Sequence, residues 1–208
     1  MNILLRSYNF AKRLLIKLPC FRFIRETGDT QTPISFEDWF HQKVLGIGGG
    51  PYWPVHPSSK VVGWQNILVG VETSPGLMPG CYIQGIGKII IGDYTQIAPN
   101  VAIISANHHL EDNRRHVIKN VTIGKYCWIG FGAVILPGVT LGDYTVVGAG
   151  SVVTKSFPDG YSVIAGNPAR LINKIDRAKC VLHVSTHEYH GYIPKERFEE
   201  FRRQYLKV

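Results

Sequence analysis

The chain has few cysteines, and none of them lies in a pattern that builds a metal site or a disulfide framework. Among its 208 residues there are four, at positions 20, 81, 127 and 180, and no two of them form a Cys-x-x-Cys pair. This spacing is not that of a zinc site, and it does not suggest a set of disulfides. A reducing cytosol is therefore the expected compartment.

Two signatures of other protein classes are also missing. Residues 1–25 contain no uninterrupted apolar run long enough for a signal peptide or a membrane span. The triple glycine at 48–50 is not followed by Lys-Ser/Thr, so it is not a phosphate-binding loop. With 45% hydrophobic and 18% charged residues, the composition is that of a soluble globular protein.

The charge balance is strongly basic, with a formal net charge of +8. Such a charge implies an anionic partner, which could be a nucleic acid, a membrane surface or a phosphorylated small molecule. Part of the charge lies in residues 1–25, where the spacing predicts a basic amphipathic helix. It packs on the body of the protein or lies on an anionic membrane. Its apolar positions are Leu4, Tyr8, Ala11, Leu15 and Leu18, and its basic ones are Arg6, Lys12, Arg13, Lys17, Arg22 and Arg25.

A period of six residues runs through residues 91–154. Branched apolar residues recur at this interval, small residues mostly follow four positions later, and glycine often follows directly. Six is a multiple of the strand period and does not match 3.6 residues per helical turn. A fixed short period of this kind predicts a parallel β-helix, in which three hexapeptides close one triangular coil. The repeating positions are Ile91, Ile97, Ile103, Ile123, Ile129, Ile135, Leu141, Val147 and Val153.

The motifs within the repeat resemble those of one known family. Residues 123–130 read Ile-Gly-Lys-Tyr-Cys-Trp-Ile-Gly, residues 137–139 read Pro-Gly-Val, and residues 147–155 read Val-Gly-Ala-Gly-Ser-Val-Val-Thr-Lys. With the closing Ala-Gly-Asn-Pro-Ala-Arg at 165–170, they resemble the hexapeptide-repeat acyltransferases. The branch they are most similar to is the sugar O-acetyltransferases, which act on maltose, galactosides, nodulation factors and capsular or colanic polysaccharide. The resemblance covers about residues 61–172.

The resemblance implies an all-β fold, a single-stranded left-handed parallel β-helix shaped as a triangular prism, an exception to the usual right-handed crossover. It also implies a homotrimer with active sites in the clefts between adjacent prisms. We expect an N-terminal helical and irregular cap at 1–60, the β-helix domain at 61–172 and a C-terminal extension at 173–208. Within the two flanks we predict a helix over 36–45 capped by Ser35, a strand over 181–184 and a helix over 194–207.

The repeat is interrupted at residues 105–120, a charged loop that contains Asn107-His108-His109. A hydroxyl that attacks a thioester must lose its proton, and a histidine with an ordinary pKa near ~6.5 is mostly neutral at pH 7. The resemblance makes His108 the candidate general base, because the family's catalytic histidine follows Asn or Gly on such a loop. The adjacent His109 leaves a shift of one residue open.

The remaining site residues are implied by the resemblance and by their neighbourhood. Polar side chains on the loop could orient the base or bind sugar hydroxyls, and the stretch 77–81 stands where relatives hold the acceptor with an asparagine that this chain lacks. The candidate acceptor residues are Asn107, Glu111, Asp112, Met78 and Cys81. The candidate acetyl-CoA residues are Trp128, Phe131, Ala149, Thr154, Lys155 and Arg170, of which Lys155 and Arg170 supply charge for phosphates.

The sequence therefore predicts an acetyl-CoA-dependent O-acetyltransferase that acts on a sugar of surface polysaccharide or its lipid-linked precursor, by direct transfer and without a metal. Acceptors such as a drug hydroxyl, serine or an amino sugar stay open. A zinc-dependent β-helix carbonic anhydrase would need three histidines on separate coils, whereas His108, His109 and His116 share one loop. A metal site at His183, His187 and His190 is disfavoured, and nucleic-acid binding has only the charge in its favour.

Overall fold

The structure of the chain is a computed structural model that describes residues 10, 12 and 14–208. The hexapeptides form three sheets, called faces A, B and C, which the chain visits in the order B, C, A within each coil. Face A contains Lys60–Val62, Tyr82–Gln84, Ala102–Ile104, Val134–Ile135 and Val152–Val153. Face B contains Ile67–Val69, Ile89–Ile91, Val121–Ile123 and Thr140–Leu141. Face C contains Gln96–Ile97, Trp128–Ile129, Thr145–Val147, Ser162–Gly166 and Ala169–Lys174.

The residues of the six-residue period fill the interior of these three faces. Ile123, Ile129 and Ile135 lie on faces B, C and A in turn, and each is at most 1% exposed. Equivalent residues of successive coils stack in register, as Ile135 does between Ile103 and Val153. Burying each such side chain contributes about 1.5–3 kcal/mol. The predicted all-β coil of parallel strands is confirmed, and its last strand, Ala169–Lys174, adds antiparallel to face C.

The coils approach one another too closely at some corners for any side chain. A Cβ built on Gly124 would lie 2.5 Å from both the amide nitrogen and the carboxylate Oδ1 of Asp143 in the next coil. In the structure this carboxylate instead accepts a hydrogen bond of 2.7 Å from the N–H of Lys125. Glycine is thus required at position 124 because of the distance between coils.

Four tyrosines stack along the corner between faces B and C. The ring centroids of Tyr94, Tyr126, Tyr144 and Tyr161 are 5.2, 4.8 and 5.0 Å apart in succession. All four residues have positive φ, between 45° and 58°, a region that non-glycine residues rarely adopt. We call this stack the tyrosine ladder. It marks the same tight corner in four successive coils.

The ladder holds residues 176–188, here called the return segment, which lead from the last coil back to the first. The hydroxyls of Tyr144 and Tyr126 donate to the carbonyl oxygens of Val181 and His183, at 2.9 and 2.8 Å. The predicted strand over 181–184 is wrong, since this part of the return segment is irregular. The sequence pattern was misleading because the backbone carbonyls of this segment accept hydrogen bonds from tyrosine side chains rather than from another strand.

Elements from both ends of the chain pack against the amino-terminal end of the prism. The predicted C-terminal helix is confirmed at Lys195–Tyr205, and its Phe198 packs on Tyr52 and His190 with centroid distances of 5.6 and 3.7 Å. Pro194 precedes this helix instead of starting it. The antiparallel pair Tyr189–His190 and Ile193–Pro194 leads into the helix.

The residues before the prism form short helices. Ser35 caps the first turn as predicted, because its Oγ accepts from the N–H of Asp38 at 3.0 Å while the Asp38 carboxylate accepts from the N–H of Ser35 at 3.1 Å. The helix predicted over 36–45 divides into an α-helix at Phe36–Trp39 and a π-helix at Phe40–Val44. The other short elements are an α-helix at Arg22–Glu26 and 3₁₀ turns at Pro19–Phe21, Trp64–Asn66 and Arg177–Lys179.

The predicted amphipathic helix of residues 1–25 lies only partly within the described structure. Its positions Leu4, Tyr8 and Ala11 lie outside the described residues, whereas Leu15 and Leu18 are exposed. Across residues 10, 12 and 14–208, no helix combines the length and the apolar character needed to cross a bilayer.

Candidate active site

The interruption of the repeat is an antiparallel hairpin that leaves the prism at the corner between faces A and B. It consists of Ala106–His108 paired with His116–Ile118. Its base is tied to the coil below by the fully buried Ser105, whose Oγ accepts from the N–H of Gly87 at 2.9 Å. The N–H of Ala106 donates to the side-chain oxygen of Gln84 at 3.0 Å. The loop therefore starts from a fixed point, and its histidines have a defined place.

His108 is oriented by the far side of its own loop. Its Nδ1 contacts the carbonyl oxygen of Asn113, and the ring of His116 lies 4.8 Å away at an angle of 38°. Because a carbonyl oxygen can only accept, Nδ1 must carry the proton in this contact. The neutral ring then has an unprotonated Nε2, which is the nitrogen that a general base needs.

His109 is held in a different way, although it follows His108 directly. Its backbone N–H donates to the carbonyl of Arg115 at 2.8 Å, and its Nδ1 accepts from the N–H of Glu111 at 3.3 Å. A neutral ring that accepts at Nδ1 carries its proton on Nε2. The remaining nitrogen of His109 is therefore a hydrogen-bond donor, while that of His108 is an acceptor.

The loop forms one side of an open cleft. Of the predicted acceptor residues, Asn107 and Glu111 line this cleft together with both histidines. Asp112 does not line it, because its carboxylate pairs with the Nε of Arg114 at 2.8 Å. This hydrogen bond lowers the pKa of Asp112, and the carboxylate is used within the loop. The predicted site residues did not include Leu110, Val117, Lys119 and Pro137, which complete the lining.

The two acceptor candidates from the earlier coil lie apart from the histidine cleft. Met78 is 39% exposed and lines a separate groove on face C with Gln96 and Trp128. Cys81 is only 2% exposed, its Sγ is 3.5 Å from the carbonyl of Ala98, and burial raises the pKa of its thiol. The structure thus corrects the expectation for Cys81: it is a core residue of the prism, where no acceptor reaches it.

The predicted cofactor residues lie along two corners of face A and on the adjoining face C. Trp128 and Phe131 are more than half exposed, and the N–H of Gly150 donates to the carbonyl of Phe131 at 2.7 Å, which places Ala149 one coil above Phe131. Thr154 and Lys155 follow face A at the corner from which the histidine loop leaves, and Arg170 lies on the last strand of face C. The histidine cleft is lined by none of them, and the groove on face C is lined by Trp128 alone among them.

Comparisons with known proteins agree with this architecture. A family model described as bacterial transferase hexapeptide (six repeats) matches residues 120–155. Nodulation protein L of Rhizobium meliloti (strain 1021) is 41% identical over 142 residues, which cover 66% of this chain and 76% of that protein. Two further curated relatives are matched over 64% and 50% of their own lengths.

Two solved structures share the fold over most of their length. A maltose O-acetyltransferase from Clostridium difficile 630 superposes with a TM-score of 0.55 at 31% identity, covering 79% of this chain and 89% of that one. A galactoside acetyltransferase in complex with coenzyme A superposes with a TM-score of 0.59 at 28% identity, covering 87% and 89%. The chain therefore belongs to the hexapeptide-repeat acyltransferases and is an enzyme of their sugar O-acetyltransferase branch.

Proposed function

We propose that the chain transfers an acetyl group from acetyl-CoA to a hydroxyl of a sugar, with His108 as the general base. The observation that carries this proposal is the contact between His108 Nδ1 and the Asn113 carbonyl, which leaves Nε2 unprotonated beside an open cleft. Support for the donor comes from the related galactoside acetyltransferase, whose structure is a complex with coenzyme A. A sugar acceptor is supported by the names of that protein and of the maltose O-acetyltransferase.

In the proposed step the thioester supplies an activated acetyl carbon. Nε2 of His108 removes the proton of the acceptor hydroxyl as the new carbon–oxygen bond forms. The imidazolium then returns this proton to the thiolate sulfur when the carbon–sulfur bond breaks, so that the products are the ester and free coenzyme A. The donated hydrogen bond to Asn113 stabilises the charged ring between these two transfers. His109, with its proton on Nε2, is placed to donate rather than to accept.

The chain's cations and small residues are suited to a long anionic thioester. Lys155 and Arg170 supply positive charge, and Ala149 leaves room beside the corner of the prism. Phe131 and Ala149 lie at one corner of face A, and His108 lies at the other. Within a single prism, these two cofactor residues are therefore too far around the corner to share a site with the histidine. We therefore propose a homotrimer of left-handed prisms, in which the corner of one copy faces the histidine loop of the next.

The wider expectations from the sequence belong to the same proposal. We propose that residues 61–172 form the catalytic β-helix, that residues 1–60 and 173–208 cover its open end, and that the enzyme works in the cytoplasm on surface or capsular polysaccharide or a lipid-linked precursor. Peripheral membrane contact through residues 1–25 is a separate proposal, independent of acetyl transfer.

Release of thiol from acetyl-CoA, measured across a panel of sugars, serine and drugs with free hydroxyls, tests this function. We expect turnover with a sugar, and we expect His108→Ala to lower it by at least ~100-fold. The matched control is His109→Ala on the same loop, which should retain most of the activity. A larger loss from His109→Ala than from His108→Ala would overturn the assignment of the base. Failure to bind or turn over acetyl-CoA at all would overturn the function.

A further inference from the structure

The amino-terminal helical segment exposes an apolar stripe to solvent. Phe10, Leu14, Leu15 and Leu18 are 66, 53, 41 and 47% exposed. Phe10, Leu14 and Leu15 lie in helical backbone, and Leu18 lies in the bend that follows it. Four large apolar side chains exposed within so short a stretch mark an interaction surface.

The opposite side of this segment is the one that packs on the protein. Lys12 Nζ forms an ion pair of 2.5 Å with Glu37, and Ile16 packs against the cluster of Phe21 and Phe36. Lys12 and Ile16 are four residues apart, and the N–H of Ile16 donates to the carbonyl of Lys12 at 3.0 Å. The side that contacts the body thus carries one charged and one apolar residue. The more apolar side faces outward, the reverse of an ordinary surface helix.

A second exposed apolar segment belongs to the same end of the molecule. Trp39 packs on Phe21 with a centroid distance of 4.7 Å, and the π-helix Phe40–Val44 begins at the next residue. Its Phe40 and Val44, and Leu45 and Ile47 after it, are 38, 53, 52 and 40% exposed. The amino-terminal end therefore presents two apolar strips joined through one buried aromatic cluster.

The charge of this region identifies what would cover the stripe. Residues 1–25 contain six basic residues, Arg6, Lys12, Arg13, Lys17, Arg22 and Arg25, and no acidic residue. Lys17 lies exposed beside Leu14 and Leu18. A second copy of the same surface would bring like charges together, which opposes such a contact. Exposed apolar side chains with Lys17 beside them, in a stretch of sequence that has basic but no acidic residues, instead match the acyl region and the anionic headgroups of a lipid bilayer.

We propose that this surface, formed by the exposed apolar side chains of residues 10–18 and 40–47 and the basic residues around them, binds the surface of an anionic bilayer. The apolar side chains enter the headgroup boundary while Lys17 and its basic neighbours contact the lipid charge. The contact is peripheral, and it holds this end of the prism against the membrane. It does not depend on the acetyl-transfer chemistry of the histidine loop.

Cosedimentation of the full chain with vesicles tests the proposal, using phosphatidylcholine with phosphatidylglycerol against phosphatidylcholine alone. We expect binding to the anionic vesicles that weakens with added salt, and a loss of at least about tenfold for Leu14→Ser/Leu18→Ser. Lys17→Glu should weaken the same binding. The control is Val181→Ser/Leu182→Ser, which removes two apolar side chains that are even more exposed, 77 and 74%, from the return segment.

Three outcomes of the vesicle assay would overturn the inference. They are equal binding by the Leu14→Ser/Leu18→Ser and Val181→Ser/Leu182→Ser variants, binding that is the same for neutral and anionic vesicles, and no vesicle binding by the unaltered chain. Sedimentation velocity without vesicles provides the remaining check. If Leu14→Ser/Leu18→Ser dissociates an assembly that the control leaves intact, another protein copy covers the stripe and the membrane proposal fails.

Discussion

The hydroxyl groups of the tyrosine ladder should hold the return segment in place. Tyr126 and Tyr144 each donate one hydrogen bond to a carbonyl of this segment, at 2.8 and 2.9 Å. Replacing both by phenylalanine removes these bonds and keeps the stacked rings. A neutral hydrogen bond contributes about 0.5–1.5 kcal/mol. The double variant should therefore reduce the free energy of opening the return segment by about 2 kcal/mol.

The change in the free energy of opening the return segment can be measured by limited proteolysis. Lys179 lies in the return segment with its side chain 84% exposed, so trypsin can cleave after it once the segment opens. When opening is fast relative to cleavage, the rate follows the population of the open form. A loss of about 1 kcal/mol should raise cleavage about fivefold, and about 2 kcal/mol about 30-fold. Mass spectrometry of the fragment that ends at Lys179 gives the rate.

The ladder itself contains the matched control. Tyr161 stacks on Tyr144 at 5.0 Å and lies under the guanidinium of Arg177 at 4.4 Å, but its hydroxyl has no hydrogen-bond partner among the residues that the structure describes. Tyr161→Phe should therefore leave the cleavage rate nearly unchanged. If the double variant Tyr126→Phe/Tyr144→Phe is cut no faster than Tyr161→Phe, the hydroxyls do not hold the segment.

The end of the prism and the contact between its coils lead to two more predictions. His190 stacks on Phe198 and donates to the Val69 carbonyl at 2.8 Å, and burial lowers its pKa against the opposing effect of that carbonyl. His190 binds a proton more readily in the unfolded protein than in the folded one, so the free energy of unfolding should fall as the pH drops below about 6.5. The difference in this free energy between the wild type and His190→Gln should therefore become smaller between about pH 8 and about pH 5.5. Gly124→Ala should cost about 1–3 kcal/mol in urea unfolding, because its Cβ would overlap Asp143.

Both predictions have controls within the chain. His183→Gln changes an exposed histidine and serves as the control. An equal effect from both variants would contradict the role of His190. Gly132 has open space around its Cβ position and a φ of +65°, which asparagine tolerates. If Gly132→Asn destabilises as much as Gly124→Ala, close approach of the coils is not the cause.

The sequence identified the scaffold because the repeat is a local pattern. Ile129 and Ile135 are placed on successive faces by counting six residues, and the same count predicts their burial. The position of the histidine loop was equally readable, since the period stops after Ile103 and resumes at Ile123. The tyrosine ladder also left a signal that was not used: tyrosine follows Gly-x at positions 94, 126 and 144.

Other assignments depended on which groups the folded chain brings into contact. Asp112 looked available for an acceptor, but Arg114 binds its carboxylate. Cys81 stood in a stretch expected to contact the acceptor, yet it is only 2% exposed and packs in the core of the prism. The strand predicted over 181–184 is also wrong. Apolar residues there have high strand propensity, but the backbone carbonyls of this stretch accept hydrogen bonds from the hydroxyls of the tyrosine ladder.

The sequence by itself determined the coil, its apolar interior and the place where its repeat opens, because these depend on spacing along one chain. It also identified the histidine pair but could not separate its members, which have the same chemistry and neighbouring positions. Only the tertiary structure did so, by bringing the Asn113 carbonyl to Nδ1 of His108 and the Glu111 N–H to Nδ1 of His109. The tautomer of each ring follows from the partner that the folded loop brings to its Nδ1, and no periodicity encodes that contact.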